Sequence, residues 1–170
     1  MDEIVTFSNE KLFRDKAKIV VCKHKEKINK VLPDAEVLHV GSTAVEGSLT
    51  KGDVDLQVRV SQSKFEHAKV ILKELYKINE GSDQTSYFCA FEKHDEILPL
   101  GIQLTAISSE LDHFWKLAKF FREYPEYLAR YNQIKESNNG KYMDKYREEK
   151  SIFIGNIFSS EIFHEFLKKI

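Results

Sequence analysis

His39-Val40-Gly41-Ser42-Thr43 and, after a short loop, Lys51-Gly52-Asp53-Val54-Asp55-Leu56 form the stretch around which this 170-residue chain is organised. An apolar strand ends in Gly-Ser, and a second strand opens with two aspartates one residue apart. Side chains at i and i+2 of a strand point to one face, so this spacing predicts Asp53 and Asp55 side by side. Two carboxylates that close repel unless a cation or a proton lies between them. The plainer alternative is a solvated strand face or a turn-capping aspartate.

Outward from that stretch, the chain reads as a mixture of helices and strands. Residues 36–40 form a short strand. From 53 to 60 the alternation is clean: Val54, Leu56, Val58 and Val60 face a core, while Asp53, Asp55, Gln57 and Arg59 line the opposite, polar face. Upstream, Ser8 is placed to cap a helix over 8–32 whose apolar stripe includes Phe13, Ala17, Val20, His24 and Ile28, with Pro33-Asp34 ending it. Downstream, Ser63-x-x-Glu66 reads as a capping box opening a second helix, with Phe65, Ala68, Leu72, Leu75 and Tyr76 inward. Strands over 85–91 and 100–107 follow, joined by the polar connection Glu92-Lys93-His94-Asp95-Glu96. After residue 108 the pattern is helical: a Phe114, Trp115, Phe120, Phe121 aromatic stripe expected to pack the helices onto the sheet, Pro125 at a helix start, a break at Asn138-Asn139-Gly140, and a last short helix capped at Ser159-Ser160. The expected fold is α/β (α+β): a small mixed sheet flanked by helices, in one domain over 1–170, with a core at 1–108 and a C-terminal helical extension at 109–170.

Composition narrows the function classes. With 42% hydrophobic and 31% charged residues the chain is an ordinary globular protein, and a net charge of −1 argues against bulk binding to nucleic acid. No apolar run approaches a membrane span and no leader pattern opens the chain, so a cytoplasmic protein with no membrane partner is expected. Cys22 and Cys89 sit in apolar segments and read as free, buried thiols, consistent with a reducing compartment.

Apolar-Gly-Ser followed by Asp-apolar-Asp-apolar resembles the signature of the nucleotidyltransferase superfamily, the polymerase-β-like fold. A Gly-Ser turn lets the backbone approach a triphosphate, and two carboxylates on one strand face hold Mg²⁺ or Mn²⁺ against its oxygens. A closer resemblance runs along nearly the whole chain. His39-Val40-Gly41-Ser42-Thr43-Ala44-Val45 with Gly47 and Lys51 is similar to the hallmark of the GrpB-like family. Pro125-Glu126 with Tyr131 and Lys135 resembles that family's helical segment, and Tyr146-x-x-x-Lys150-x-x-Phe153-Ile154 its final helix.

That resemblance implies a magnesium-dependent transfer of a nucleoside monophosphate from a nucleoside triphosphate to an unidentified hydroxyl acceptor. Asp53 and Asp55 would be the catalytic metal ligands. Gly41, Ser42, Thr43, Lys51, Arg59 and Lys150 would meet the phosphates, and His39, Gln103 and Tyr146 would line the site. Each of these has a plainer reading as well: Arg59 as the partner of a neighbouring aspartate, His39 as a loop-fixing hydrogen-bonder, Lys51 as a surface lysine, Tyr146 and Lys150 as a pair on a helix surface. Two departures from the family stand out. Asp53 adds a carboxylate that many members lack, and their histidine pair on the later strand falls at Gln103 and Thr105. Active superfamily members usually carry a third carboxylate on that strand, and Gln103 cannot act as a base. A non-catalytic protein that binds a nucleotide or phosphometabolite in a degenerate transferase site is therefore the competing expectation, with no protein partner indicated in either case.

Overall fold

The computed structural model describes residues 3–170. Two short strands, β1 (Ile4–Val5) and β2 (Ser8–Asn9), precede a 3-10 turn and the helix α1 (Arg14–Val31). Then come β3 (Glu36–Val40), β4 (Leu49–Thr50), β5 (Val54–Val60), α2 (Phe65–Leu75), β6 (Lys77–Ile78), β7 (Phe88–Lys93) and β8 (Leu100–Ala106). The chain closes with α3 (Phe114–Glu123), α4 (Pro125–Asn138), β9 (Lys141–Tyr142), α5 (Met143–Ser159) and α6 (Glu161–Leu167).

Five strands form one mixed sheet in the order β3-β5-β8-β7-β6, parallel only between β5 and β8. The apolar side of β5 (Val54, Leu56, Val58, Val60) packs with α1 and α2 around Ile28, Phe65, Leu72 and Ile102. A second apolar cluster, built on Phe120, Tyr131, Tyr146, Phe163 and Phe166, holds the C-terminal helices together and takes in Val5 and Phe7 from the N-terminus. The aromatic stripe of α3 divides between the two bodies. Phe114 stacks on Phe88 of the sheet, whereas Phe120 packs against Phe121, Tyr124, Tyr127, Phe163 and Phe166.

The polar side of β5 is where the two bodies meet, and it is not a solvated face. Gln57 is fully buried, donating to Thr105 Oγ1 and Asp112 Oδ1 (both 2.9 Å) and accepting the Trp115 amide. Arg59 binds Asp112 through two nitrogens, at 2.7 and 2.6 Å, and reaches Glu36 at 2.7 Å. This row docks the start of α3 on one end of the strand and leaves the Asp55 end open. Burial pushes the Asp112 carboxyl up, but Arg59 and the Ser108 amide outweigh that and hold it below the usual range. Replacing Arg59 by Met leaves a buried carboxylate uncompensated, so R59M is expected to lose about 3–5 kcal/mol in chemical denaturation.

Several local expectations are corrected. Residues 8–9 are a strand because they pair with Leu49–Thr50, and Asn9 caps a 3-10 turn, so α1 begins only at Arg14. The Ser63/Glu66 capping box does not form. A 3-10 turn over Gln62–Lys64 leads into α2, and Lys64, its N-cap, offers no side-chain bond. The strand expected over 85–91 starts later, because Thr85 and Phe88 close a turn, and it extends to Lys93 opposite Leu100. Cys89 is buried, but Cys22 lies on the outer side of α1 and is exposed; both thiols are free. Among the described residues no helix is long and apolar enough to cross a membrane.

Candidate functional site

At the open end of β5, Asp55 sits in a slot cleared by two glycines. Its sheet neighbours are Val40 on β3 and Gly101 on β8. Gly41, just past Val40, has φ +78° and ψ −173°, a region essentially reserved for glycine. A Cβ there would lie 2.5 Å from Asp55 Oδ2, and one on Gly101 would lie 2.8 Å from Asp55 Oδ1. Both carboxylate oxygens are thus approached by bare backbone. G41A combines a backbone cost of about 1–3 kcal/mol with this clash. It is expected to lower the melting temperature and to disorder the carboxylate, which a thermal scan beside a ligand titration would separate.

The chain turns at Gly41 into a 3-10 turn over Ser42–Ala44, and the loop that follows is clamped from outside by the helical extension. Arg122 donates to the Ala44 carbonyl, Asn132 bonds both Gly47 and Leu49, and Lys135 Nζ donates to the Leu49 carbonyl at 2.7 Å and to Ser42 Oγ at 2.8 Å. From inside, Thr43 Oγ1 donates to the Asp53 carbonyl at 3.0 Å, which spends its only hydrogen. The 3.0 Å contact from His39 Nε2 must then be a donation from the imidazole. Burial, with Arg122 nearby, pushes the His39 pKa down to about 4, so the ring stays neutral and fixes the turn.

Between the turn, β5 and the helices lies a cavity of about 240 Å³. Its polar lining includes Gly41, Ser42, Lys51, Asp53, Asp55 and Lys150, and its apolar lining Phe7, Leu117, Phe121 and Leu128, with Tyr131 and Tyr146 offering both a ring and a hydroxyl. Asp53 lies one residue before the strand rather than on it, 3.3 Å from Lys51 Nζ. Burial raises the Asp55 pKa, against the pull of Lys150 and with a further push from Asp53. Gln103 Nε2 approaches Asp55 Oδ1 at 3.4 Å, and the buried Gln103 Oε1 has no partner. Among the described residues no three His, Cys, Asp or Glu side chains converge as a metal-holding group.

Of the residues singled out from sequence, Gly41, Ser42, Lys51, Asp53, Asp55, Tyr146 and Lys150 line this cavity, and Gln103 adjoins Asp55. Thr43 and His39 stand behind the turn and support it. Arg59 is held away by Asp112 and Glu36, two pleats along the strand. Lys135, part of the helical motif but not among the residues expected at the site, is bonded directly to the turn. It is 1% exposed, has no carboxylate partner among the described residues, and lies 3.9 Å from the Tyr131 ring centroid. Burial, with Lys150 and Lys51 nearby, lowers its pKa to about 7. The available signal was its position, since Lys135 shares the buried face of α4 with Leu128, Tyr131 and Asn138, where a lysine is out of place.

The mixed sheet, with its carboxylates at the mouth of a Gly-Ser turn, is a nucleotidyltransferase-like fold. Superposition gives a TM-score of 0.55 to a Cid1 poly(U) polymerase bound to MgGTP (11% identity, 75% of this chain, 42% of that one) and 0.51 to a cytoplasmic RNA terminal U-transferase (13%, 76% and 40%). The chain spans about two fifths of these enzymes. Over the GrpB protein of Enterococcus faecalis the TM-score is 0.70 at 18% identity, covering 96% of this chain and 98% of that one. The family model for GrpB protein matches residues 18–160, and a UPF0157 protein of Vibrio cholerae is 33% identical over 137 residues, 79% of this chain and 72% of that one. The chain belongs to the GrpB family.

Proposed function

We propose that the cleft binds a magnesium–nucleoside triphosphate and transfers its nucleoside monophosphate to a hydroxyl acceptor. The observation that carries this reading is the composition of one cavity: two carboxylates, a Gly-Ser turn with open backbone, and the lysines Lys51 and Lys150 in the same lining. The turn offers amide and hydroxyl donors to phosphate oxygens, and the lysines balance their charge. The apolar lining, with Phe7 and Phe121, suits a base or sugar face. Because sheet and helical extension both line the cavity, residues 1–170 act as one unit in this reading. The free thiols suit a reducing cytoplasm.

The donor set fits Mg²⁺. This ion is held by one or two carboxylates, waters and substrate phosphates, and Asp53 and Asp55 supply that number, with the unpartnered Gln103 Oε1 close by. Bound there, the ion would neutralise phosphate charge and offset the desolvation that raises the Asp55 pKa.

One observation favours the second reading, in which the protein binds nucleotide without transferring it: the carboxamide of Gln103, not a carboxylate, stands beside Asp55. Calorimetry with each nucleoside triphosphate in Mg²⁺ or Mn²⁺, run beside an assay for pyrophosphate release, separates the two. Binding with release supports transfer; binding without release supports the second reading; no binding at millimolar nucleotide overturns both.

A further inference from the structure

Asp55 also borders a second cavity, of about 170 Å³, on the side away from Ser42 and Lys150. The sheet register explains its existence. Asp55 pairs with Gly101, and Gly101 pairs with Glu92, so the three lie in one row and face the same way. Adjacent strands are about 4.8 Å apart, which sets Asp55 and Glu92 roughly 10 Å from each other, Cα to Cα. The residue between them has no side chain, so the Asp55 carboxylate and the Gln103 amide lean over it, and the cavity opens beside them. Asn79, Glu92, His94 and Gln103 line it, with Asp53 and Asp55 shared with the larger cavity. The buried Gln103 Oε1 beside it lacks a hydrogen-bond donor.

We infer that this second cavity is the acceptor subsite, taking a small neutral or cationic hydroxyl compound, a polyol or an amino alcohol, with Glu92 as the group that receives the hydroxyl proton. The inference rests on the transferase reading above. The carboxylate pair separates two spaces of opposite character: one with lysines for phosphates, the other walled by Asp53, Asp55 and Glu92, with Lys77 only at its outer edge beside Glu92, a balance that disfavours an anionic acceptor. The volume of about 170 Å³ matches a small polyol or amino alcohol. In the transfer, the acceptor oxygen forms a bond to the α-phosphorus while the bond from that phosphorus to the bridging oxygen breaks. Pyrophosphate leaves with that electron pair, and the acceptor proton passes to the Glu92 carboxylate. Glu92 thereby takes up, one strand further on, the task that Gln103 cannot perform. His94 Nε2 lies 3.1 Å from Glu92 Oε2, on the exposed side, and fixes the position of that carboxylate.

The test supplies α-phosphate-labelled nucleoside triphosphates and Mg²⁺ with glycerol, myo-inositol, glucose or ethanolamine as acceptor probes, and a short oligouridylate as the macromolecular alternative. Label is expected on a small probe. E92Q is expected to cut that transfer about 10²-fold or more, with the nucleotide Kd from calorimetry unchanged. Label on the oligouridylate alone, E92Q transferring like the wild type, or nucleotide bound with no probe labelled would each overturn the inference while leaving nucleotide binding intact. Failure of the wild type to bind nucleotide removes the transferase reading itself.

Discussion

Asp55→Asn is expected to abolish Mg²⁺-dependent nucleotide binding and yet to raise the melting temperature at neutral pH. The two effects have one cause. Asp55 is forced into a slot between Gly41 and Gly101, where its charge is poorly solvated and Asp53 adds repulsion. Its folded pKa is raised above the unfolded value, so the unfolded chain gives up its proton first. Stability from this group therefore falls as pH climbs from the unfolded pKa to the folded one, and the full cost persists above. Asparagine keeps the shape and removes the charge, relieving the cost, but cannot replace an anionic metal ligand. Calorimetry with nucleotide and Mg²⁺, paired with thermal scans at pH 4 and pH 7, reads both signs. D55N more stable than wild type at pH 7, with that advantage shrinking at pH 4, fits a site strained for ligand. A D55N protein that is destabilised at pH 7 would mean that the carboxylate holds the fold together instead.

Lys135 is expected to make nucleotide affinity fall as pH rises through about 7. When charged, its Nζ donates to both Ser42 Oγ and the Leu49 carbonyl, which leaves the Ser42 hydrogen free to point at a phosphate. When neutral, it can accept that hydrogen, and the cavity loses a donor together with a nearby positive charge. One linked proton allows up to about a tenfold loss of affinity per pH unit. K135M is expected to bind more weakly at pH 6 and to lack this slope between pH 7 and 8.5, a comparison that removes the titration of the nucleotide itself. The stability linkage has the opposite sense. The folded pKa of about 7 lies below the ordinary 10.5, so between those values the unfolded chain holds the extra proton. Stability from this group therefore rises with pH across that window, and wild type should gain on K135M from pH 7 to 9. A K135M protein with the wild-type pH slope of affinity would show that Lys135 only holds the turn in place.

Much of the architecture was legible in the chain because the signals are local. The alternation from Val54 to Val60, the strand over Glu36–Val40, Pro125 at the first turn of α4 and the Ser160 cap of α6 each depend on a few adjacent residues. The Gly41-Ser42 turn and the Asp-x-Asp spacing are local as well, although Asp53 lies one residue before the strand and Asp55 meets Gly41 only through the register of β3 on β5. The errors share a different cause. The sequence reading of Ser8 as a helix cap and of 85–87 as strand failed because a distant partner, Thr50 in the first case and the limits of β8 in the second, decided the backbone. Arg59 had the right face for a phosphate contact, yet Asp112, 53 residues away, claims its guanidinium. Cys22 sits in an apolar run but turns outward, because α1 buries Ala17, Val20, His24 and Ile28 instead.

The carboxylate pair, the glycine turn and the alternation of β5 follow from residue type and spacing alone, because hydrogen-bond period and backbone freedom act within a few residues. Which groups surround that pair was settled only when the helical extension docked on Gln57 and Arg59. That docking covers one end of a polar strand face, leaves the other end as a cleft and brings Lys135 under Ser42 across 93 residues, while the sheet register lines up Glu92 with Asp55 over a glycine. Such neighbours are chosen by long-range burial and register, where a one-residue slip would turn every side chain to the other face, and no local pattern records them.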